Sequence, residues 1–187
     1  MISCTKTHLS SSIMRIMRRT TLTGLVCWLA AGPWLAGAGP QDPIPDDTAI
    51  TMQRGNCEGG CPVYRVLIFA NGDVIWQGRG RVLKLGVVLS RVEWEQVRVL
   101  IDAFQSIDYF HLENIYGFRG KGCQSSKPDM PMVMTSLVMG GISKAIAHHD
   151  GCVGEISDKL TAIENNIDKA VGTARWISGL PPAKKRK

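Results

Sequence analysis

The sequence predicts an α+β fold of two layers, in which one antiparallel sheet made of two β-hairpins carries two helices on one face (ββα-ββα). Asn71-Gly72 and Gly140-Gly141 each separate two runs of β-branched and apolar residues, as turn residues do in hairpins. A run with apolar residues at helical spacing follows each hairpin. Two units of this order pair into one sheet with both helices on the same side. The sequence shows no Gly-rich phosphate loop, βαβ run or nucleophile elbow.

The first 39 residues predict a secretory signal peptide that precedes the fold. A basic segment from Arg15 to Arg19 is followed by the apolar run LTGLVCWLAAGPWLAG and then by small residues suited to cleavage. Gly32-Pro33 breaks the apolar run, whereas a membrane-spanning helix needs about 20 consecutive apolar residues. We therefore expect a periplasmic or secreted protein with no membrane span in the mature chain. A retained N-terminal anchor is the alternative.

The boundaries around the domain follow from these terminal segments. Met14 and Met17 are alternative starts, and cleavage is expected between Gly37 and Asp42. Cys27 does not favour a lipoprotein, because the apolar run continues beyond it and a lipidated cysteine begins the mature chain. The predicted organisation is a signal region 1–39, a linker 40–47, a single α+β domain 48–178 and a basic tail 179–187.

The net charge of +6 belongs to the ends of the chain. Four of its 22 Lys and Arg residues lie in residues 1–39 and four form the final KKRK, which leaves 14 basic against 16 acidic residues in between. A body without concentrated positive charge lacks the electrostatic footprint of a nucleic-acid-binding protein. We therefore expect no nucleic-acid partner and a solvated tail. A monomer is also expected.

The first hairpin is predicted over PVYRVLIFANGDVIWQGRG. Asn71-Gly72 tolerates the positive φ angles of a two-residue type I′ turn. This turn would place three residue pairs opposite each other, namely Phe69 with Val74, Ile68 with Ile75 and Leu67 with Trp76. The preceding segment TAITMQR is expected to form a strand that pairs nearby.

The first helix is predicted within LSRVEWEQVRVLIDAFQSID. Ser90 and Glu93 have the spacing of a capping box, in which each side chain satisfies a backbone N–H of the first turn. Apolar residues at helical spacing form its buried stripe: Trp94, Val97, Leu100, Ile101 and Phe104. Trp94 is expected to anchor the core.

The second hairpin and helix are predicted after an irregular segment. The hairpin MPMVMTSLVMGGISKAIAHH turns on Gly140-Gly141, and the helix lies in EISDKLTAIENNIDKAVGTARWIS. The buried face of this helix is expected to consist of Leu160, Ile163, Ile167, Val171 and Ala174.

The stretch CEGGCPVYRVLIFANGDVIWQG resembles the signature of a bacterial domain family of unknown function. That signature runs Arg-x-x-Cys-x-Gly-x-Cys-Pro-x-Tyr, then an apolar strand, a Gly turn and aromatic-x-Gly. The matching positions here are Arg54, Cys57, Gly59, Cys61, Pro62, Tyr64, Gly72, Trp76 and Gly78. The similarity extends through the Trp94 helix and PDMP to the final helix. The resemblance implies fold and relatedness, and it implies no catalytic residue.

Four cysteines remain after the signal region, namely Cys57, Cys61, Cys123 and Cys152. An even number in an exported domain predicts disulfides, although the sequence permits three pairings. Proximity in the chain favours Cys57–Cys61 together with Cys123–Cys152, the second of which would clamp the open end of the second hairpin. On this interpretation Cys57–Cys61 is a local staple that holds the entry to the first hairpin.

Thiol redox chemistry and metal binding are the alternatives for these residues. Redox-active Cys-x-x-Cys motifs place a thiol at a helix N-terminus, whereas Cys61-Pro62 leads into a strand. Thioether and imidazole ligands suit copper. The candidate ligands are Met132, His148, His149 and Cys152, with Met130 and Met134 alternating along the same strand face as Met132.

No catalytic constellation is visible in the sequence, so no enzymatic activity and no cofactor are expected. His111 has no Ser or Cys partner in a motif, and four carboxylates have no evident pairing: Asp102, Asp108, Glu113 and Asp129. The interpretation that remains is a disulfide-stapled binding or structural module of the bacterial cell envelope, with an unknown protein or envelope partner. A binding surface would be marked by an exposed apolar patch beside Tyr109, Phe110 and Tyr116.

Overall fold

The computed structural model describes residues 43–58, 60–117 and 122–178, so the predicted signal region and the predicted basic tail lie outside the described residues. The described part is a mixed α+β fold with a mostly antiparallel sheet and three helices. No helix in it is long and apolar enough to cross a membrane. The strands are β1 (Ala49–Arg54), β2 (Val63–Phe69), β3 (Asp73–Gly80), β4 (Gly86–Arg91), β5 (Ile115–Tyr116), β6 (Ser125–Ser126), β7 (Met132–Met139), β8 (Ile142–His149) and β9 (Cys152–Val153); the helices are α1 (Trp94–Ser106), α2 (Glu155–Val171) and α3 (Ala174–Ile177).

The main sheet joins both predicted hairpins, and the first strand links them. Its strand order is β4-β3-β2-β1-β7-β8-β5, with all neighbours antiparallel except β5 and β8. β1 thus pairs beside the first hairpin as predicted and also contacts β7. The predicted ββα-ββα layout is incomplete, because four strands precede α1. β6 and β9 form a separate two-stranded ribbon.

The turn of the first hairpin differs from the predicted type I′ turn by one residue. Ile68 lies opposite Val74, and the register places Leu67 opposite Ile75. Gly72 has φ +83° and its N–H donates to Phe69 O at 2.9 Å, whereas Asn71 is not among the residues with positive φ. A three-residue loop with glycine in the left-handed region therefore replaces the two-residue turn. The predicted pairs Phe69–Val74, Ile68–Ile75 and Leu67–Trp76 are wrong for this reason.

The second hairpin turns on Gly140 and Gly141, as predicted, with both residues at positive φ. The carboxylate of Asp47 accepts hydrogen bonds from both of their N–H groups, at 2.9 and 2.6 Å. These two hydrogen bonds favour the ionised form and lower the pKa of Asp47. The turn between β7 and β8 is thereby connected to the segment that leads into β1.

Helix α1 begins later than the sequence predicts. Ser90 lies in β4, and the capping box is formed by Glu93 with Gln96. The predicted Ser90 cap is therefore wrong, because the edge strand extends to Arg91. Trp94 is the first helical residue and is 49% exposed, so its predicted core position is also wrong. The remaining members of the stripe are buried as predicted: Val97, Leu100, Ile101 and Phe104.

The core lies between the sheet and helices α1 and α2, which contact each other. Trp76 of β3 is its largest side chain. On α2 the predicted residues Leu160, Ile163, Ile167 and Val171 are buried. Ala174 is exposed, contrary to the prediction. Gly172, at φ +70°, ends α2 before this residue, so Ala174 does not continue the buried face of α2.

Candidate functional site

A cluster of polar side chains connects the end of β1 to helix α2. Arg54 Nε donates to Tyr64 Oη at 3.0 Å and to Asp168 Oδ2 at 3.1 Å. Tyr64 Oη in turn donates to Asp168 Oδ1 at 2.7 Å. Asp168 follows the buried residue Ile167 on α2, whereas Arg54 and Tyr64 lie opposite each other on β1 and β2. The three side chains therefore tie the sheet to the helix.

A second part of the cluster is fully buried between β8 and α2. His148 Nδ1 lies 2.9 Å from Glu164 Oε1, and His148 Nε2 lies 2.5 Å from Ser157 Oγ. Ser157 Oγ donates to Cys152 O at 2.8 Å. Because the hydroxyl hydrogen is used there, His148 Nε2 must carry the hydrogen that it shares with Ser157. In a serine hydrolase the hydroxyl donates to the imidazole, so the direction here is the reverse.

Burial and the neighbouring charges shift the pKa values of the ionisable groups in this polar cluster. Burial raises the pKa of Glu164, and its hydrogen bond with His148 only partly offsets this effect. Burial opposes the charge of Arg54, but the carboxylates of Asp168 and Glu164 outweigh this effect and raise its pKa. Burial and the Asp168 carboxylate also raise the pKa of Tyr64. Arg54 thus stays charged and Tyr64 stays neutral, which suits neither of them to proton transfer near neutral pH.

Both cysteine pairs favoured by the sequence are bonded in the structure. Cys57 and Cys61 have Cα atoms 5.3 Å apart in the loop between β1 and β2. Cys123 and Cys152 have Cα atoms 5.4 Å apart and join the two sides of the β6–β9 ribbon. The cysteines are therefore oxidised, and Cys152 is not a metal ligand.

The predicted copper ligands do not all come together. His148 points into the core, whereas Met132 lies opposite His149 at the first rung of β7 and β8, as predicted. Met130, Met132 and Met134 are all exposed. Within the described ranges, no group of three or more His, Cys, Asp or Glu residues is placed to hold a metal ion.

The other candidate residues are also placed by the structure. Tyr109 and Tyr116 are buried and Phe110 is half-buried, so these aromatic residues do not form the exposed patch that would mark a binding surface. They pack inward because the segment after α1 folds back on the core. His111 pairs with Asp108 at 2.7 Å on the surface. The remaining carboxylates are exposed at separate positions: Asp102, Glu113 and Asp129.

The sequence does not predict half of the residues of the polar cluster. Arg54 and Tyr64 stand in the quoted motif, but Ser157, Glu164 and Asp168 were not singled out. A signal for them exists, because Glu164 and Asp168 are four residues apart beside the apolar stripe of α2. Charged residues at positions that a helix buries indicate a polar partner inside the fold.

The fold and the polar cluster together define a disulfide-bonded α+β domain whose buried ionisable groups are paired with one another. The chain belongs to the family described as a domain of unknown function, DUF6438, which matches residues 48–171. The comparison with curated proteins found no match. Family membership therefore gives the relatedness of the domain, and its function has to be inferred from the surface and the chemistry of the chain.

The two disulfides are expected to differ in their contribution to stability. Cys123→Ser/Cys152→Ser should lower the free energy of unfolding by about 3 kcal/mol, and Cys57→Ser/Cys61→Ser by about 2 kcal/mol or less, because the stabilisation grows with the length of the closed loop. The sequence separations are 29 and 4 residues. Urea unfolding of the two double variants measures the difference. A larger loss for the Cys57–Cys61 pair would contradict the interpretation of that bond as a local staple.

Proposed function

We propose that the protein is an exported, non-enzymatic module that binds an acidic protein surface through the open face of its main sheet. The observation that carries this proposal is the character of that face. In the described part of the chain, α1 and α2 pack on the side of the sheet that holds the buried strand residues. The alternate residues of each strand form the opposite face, here called the open face.

The open face combines exposed apolar side chains with arginines. The strand register brings Leu89, Ile75 and Leu67 into one row across β4, β3 and β2. Leu89 is 75% exposed, and Val87 beside it is 61% exposed. An apolar group of this kind within a polar surround is typical of a protein–protein contact.

The charge of the open face supports an acidic partner. Arg65, Arg79 and Arg91 lie on the open face. Asp73 of β3 is the acidic residue among the open-face positions of β1 to β4. Asp73 is already paired with Arg91 at 3.5 Å. Arginine is enriched and lysine depleted in protein interfaces, and the open-face positions of β1 to β4 contain no lysine. Complementary charge would speed and orient the docking of an acidic surface.

An extracytoplasmic location is supported by the cysteines. Two disulfides are consistent with an oxidising compartment, where such bonds persist. The order of basic, apolar and small residues before position 40 supports export by a signal peptide. The absence of enzymatic activity is supported by the polar cluster, since His148, Glu164 and Ser157 are buried and hydrogen-bonded to one another.

Site-specific photo-crosslinking in the native host tests this proposal. A photoreactive phenylalanine analogue at Leu89 is expected to capture one protein species, and the same analogue at Asp102, an exposed position on α1, is expected to capture none. Arg65→Glu/Arg79→Glu should reduce the capture at Leu89 by about tenfold or more, because like charges across an interface repel.

Lys169→Glu is the matched charge control, since Lys169 is exposed on α2. It should leave the capture at Leu89 unchanged. Equal capture from Leu89 and Asp102, or an equal loss in the Lys169 variant, would contradict docking through the open face. Recovery of the protein in the cytoplasm with its full-length mass would contradict export.

A further inference from the structure

Strand β4 leaves one edge of the main sheet open in the described part of the chain. It is the last strand in the order of that sheet, and there it pairs with β3 alone. Edge strands are commonly protected from further pairing by short length, lysine, proline or a bulge. β4 has six residues in continuous register with β3, and it contains neither lysine nor proline. By contrast, the opposite edge of the sheet is β5, which has only two residues.

The alternation of hydrogen bonds along β4 identifies the backbone groups at this open edge. Val92 N–H donates to Gly72 O at 2.9 Å, one step beyond the pair of Asp73 with Arg91. Hydrogen-bonded and non-hydrogen-bonded pairs alternate along an antiparallel ladder, so the even-numbered residues of β4 bond to β3. The N–H and C=O groups that point to the open edge belong to the odd-numbered residues: Val87, Leu89 and Arg91.

The side chains of the same three residues lie on the open face and define what a neighbouring strand should carry. Val87 and Leu89 are exposed and apolar, and the Arg91 side chain is 68% exposed. Arg91 has donors beyond its contacts with Asp73 and with Asn71 O. Side chains directly opposite each other in a ladder interact, so the best partner has an acidic residue opposite Arg91 and apolar residues opposite Leu89 and Val87. A second copy of β4 does not supply this pattern, because β4 contains no acidic residue.

We infer that the acidic partner contributes an extended segment that pairs antiparallel with β4 and extends the seven-stranded sheet by one strand. Its sequence pattern, read from the N-terminus, is acidic–x–apolar–x–apolar, since antiparallel pairing meets Arg91 before Leu89 and Val87. In this mode of recognition the main-chain hydrogen bonds supply affinity and the alternate side chains supply specificity. The inference rests on the proposed function, because it names the part of the acidic partner that docks beside Leu89.

Amide hydrogen exchange followed by NMR tests the pairing with a defined probe, the peptide acetyl-Thr-Glu-Thr-Val-Thr-Val-Thr-amide. The full chain is used with both disulfides formed. Saturating peptide should slow the exchange of the Val87, Leu89 and Arg91 amides by about tenfold or more, because these N–H groups become hydrogen-bonded. The amides of Val88 and Ser90 should exchange slowly with or without peptide, since they already bond to β3. The same peptide with lysine in place of glutamate should bind about tenfold more weakly.

Val87→Pro tests the pairing in the photo-crosslinking assay with the analogue at Leu89. Proline removes the N–H that points to the open edge and is tolerated on an edge strand at such a position. Capture at Leu89 and affinity for the peptide should both fall by about tenfold or more, because a hydrogen bond to the added strand is lost and the proline ring occupies its place. Val87→Thr is the matched control, which keeps the N–H and the branched shape, and both measurements should stay within about twofold of the parent.

The outcomes separate this inference from the proposed function. Unchanged exchange of the three edge amides in the presence of the peptide would overturn strand pairing, and this measurement needs no variant to fold. Capture at Leu89 that depends on Arg65 and Arg79 but is equal in Val87→Pro and Val87→Thr would overturn it as well, while docking through the open face would stand. A captured product with the mass of two copies of this chain would replace the acidic segment by a second copy. Absence of capture at Leu89 in the unmodified background would contradict the proposed function itself.

Discussion

Alanine in place of Trp76 is expected to lower the free energy of unfolding by about 3–5 kcal/mol, as is usual when a large aromatic side chain is removed from a core. Trp76 is fully buried on β3. Its ring stacks on Tyr64 with centroids 4.5 Å apart and contacts Trp176 at 5.0 Å. Its indole N–H also donates to Lys84 O at 3.3 Å. The substitution therefore leaves a cavity and an unpaired carbonyl group. Urea unfolding followed by circular dichroism measures the loss.

Trp94→Ala is the matched control, since it makes the same substitution at an exposed tryptophan. Trp94 is half exposed at the start of α1, and its ring centroid lies 5.6 Å from the Arg98 guanidinium carbon. A loss of about 1 kcal/mol or less is expected, because little apolar surface leaves the core and the cation–π contact is exposed. Equal losses for the two variants would contradict the assignment of Trp76, and not Trp94, to the core.

The two tryptophans illustrate how far the sequence predicts the fold. Periodicity predicts the stripe from Val97 to Phe104, the buried face of α2 and the turn at Gly140-Gly141, because each depends on local spacing. Trp94 has the same helical spacing as Val97 but is the first residue of α1 and is half exposed. β4 was missed because Val87 and Leu89 face solvent at the edge, so its apolar residues do not mark a buried face.

The polar cluster was less predictable than the fold, for a physical reason. Arg54 and Asp168 are more than a hundred residues apart, and their contact depends on β1 lying between β2 and β7. No spacing rule brings such residues together. The cysteines were easier to interpret, because disulfide partners that are close in the chain have few alternatives.

Alanine in place of His148 is expected to lower the free energy of unfolding by about 3–5 kcal/mol, because it leaves the buried Glu164 without its partner. Both side chains are fully buried. Among the described residues Glu164 Oε2 has no hydrogen-bond partner, and Arg54 Nη1 lies 3.9 Å away. His111→Ala is the control, since that histidine also pairs with a carboxylate but is 81% exposed, and its loss should stay within about 0.5 kcal/mol.

The burial of Glu164 also predicts a pH dependence of stability. Burial raises the pKa of this carboxyl group, and its hydrogen bond with His148 only partly offsets the effect. The folded protein therefore keeps a proton on Glu164 at pH values above about 4.3, where an unfolded chain has lost it. Stability should fall as the pH rises from about 4.3 through the raised pKa of Glu164, by up to about 1.4 kcal/mol per unit, because the folded state then binds more protons.

Two further variants separate this pair from a general weakening of the core. Glu164→Gln removes the titrating carboxyl group, so the fall in stability above about pH 4.3 should disappear even though the protein is destabilised at every pH. His148→Leu/Glu164→Leu should cost less than the sum of the two single leucine substitutions, because removing both members leaves no unpaired charge between β8 and α2. Additive losses, or the same dependence of stability on pH in Glu164→Gln and in the unmodified protein, would contradict a buried Glu164 that depends on His148 and has a raised pKa.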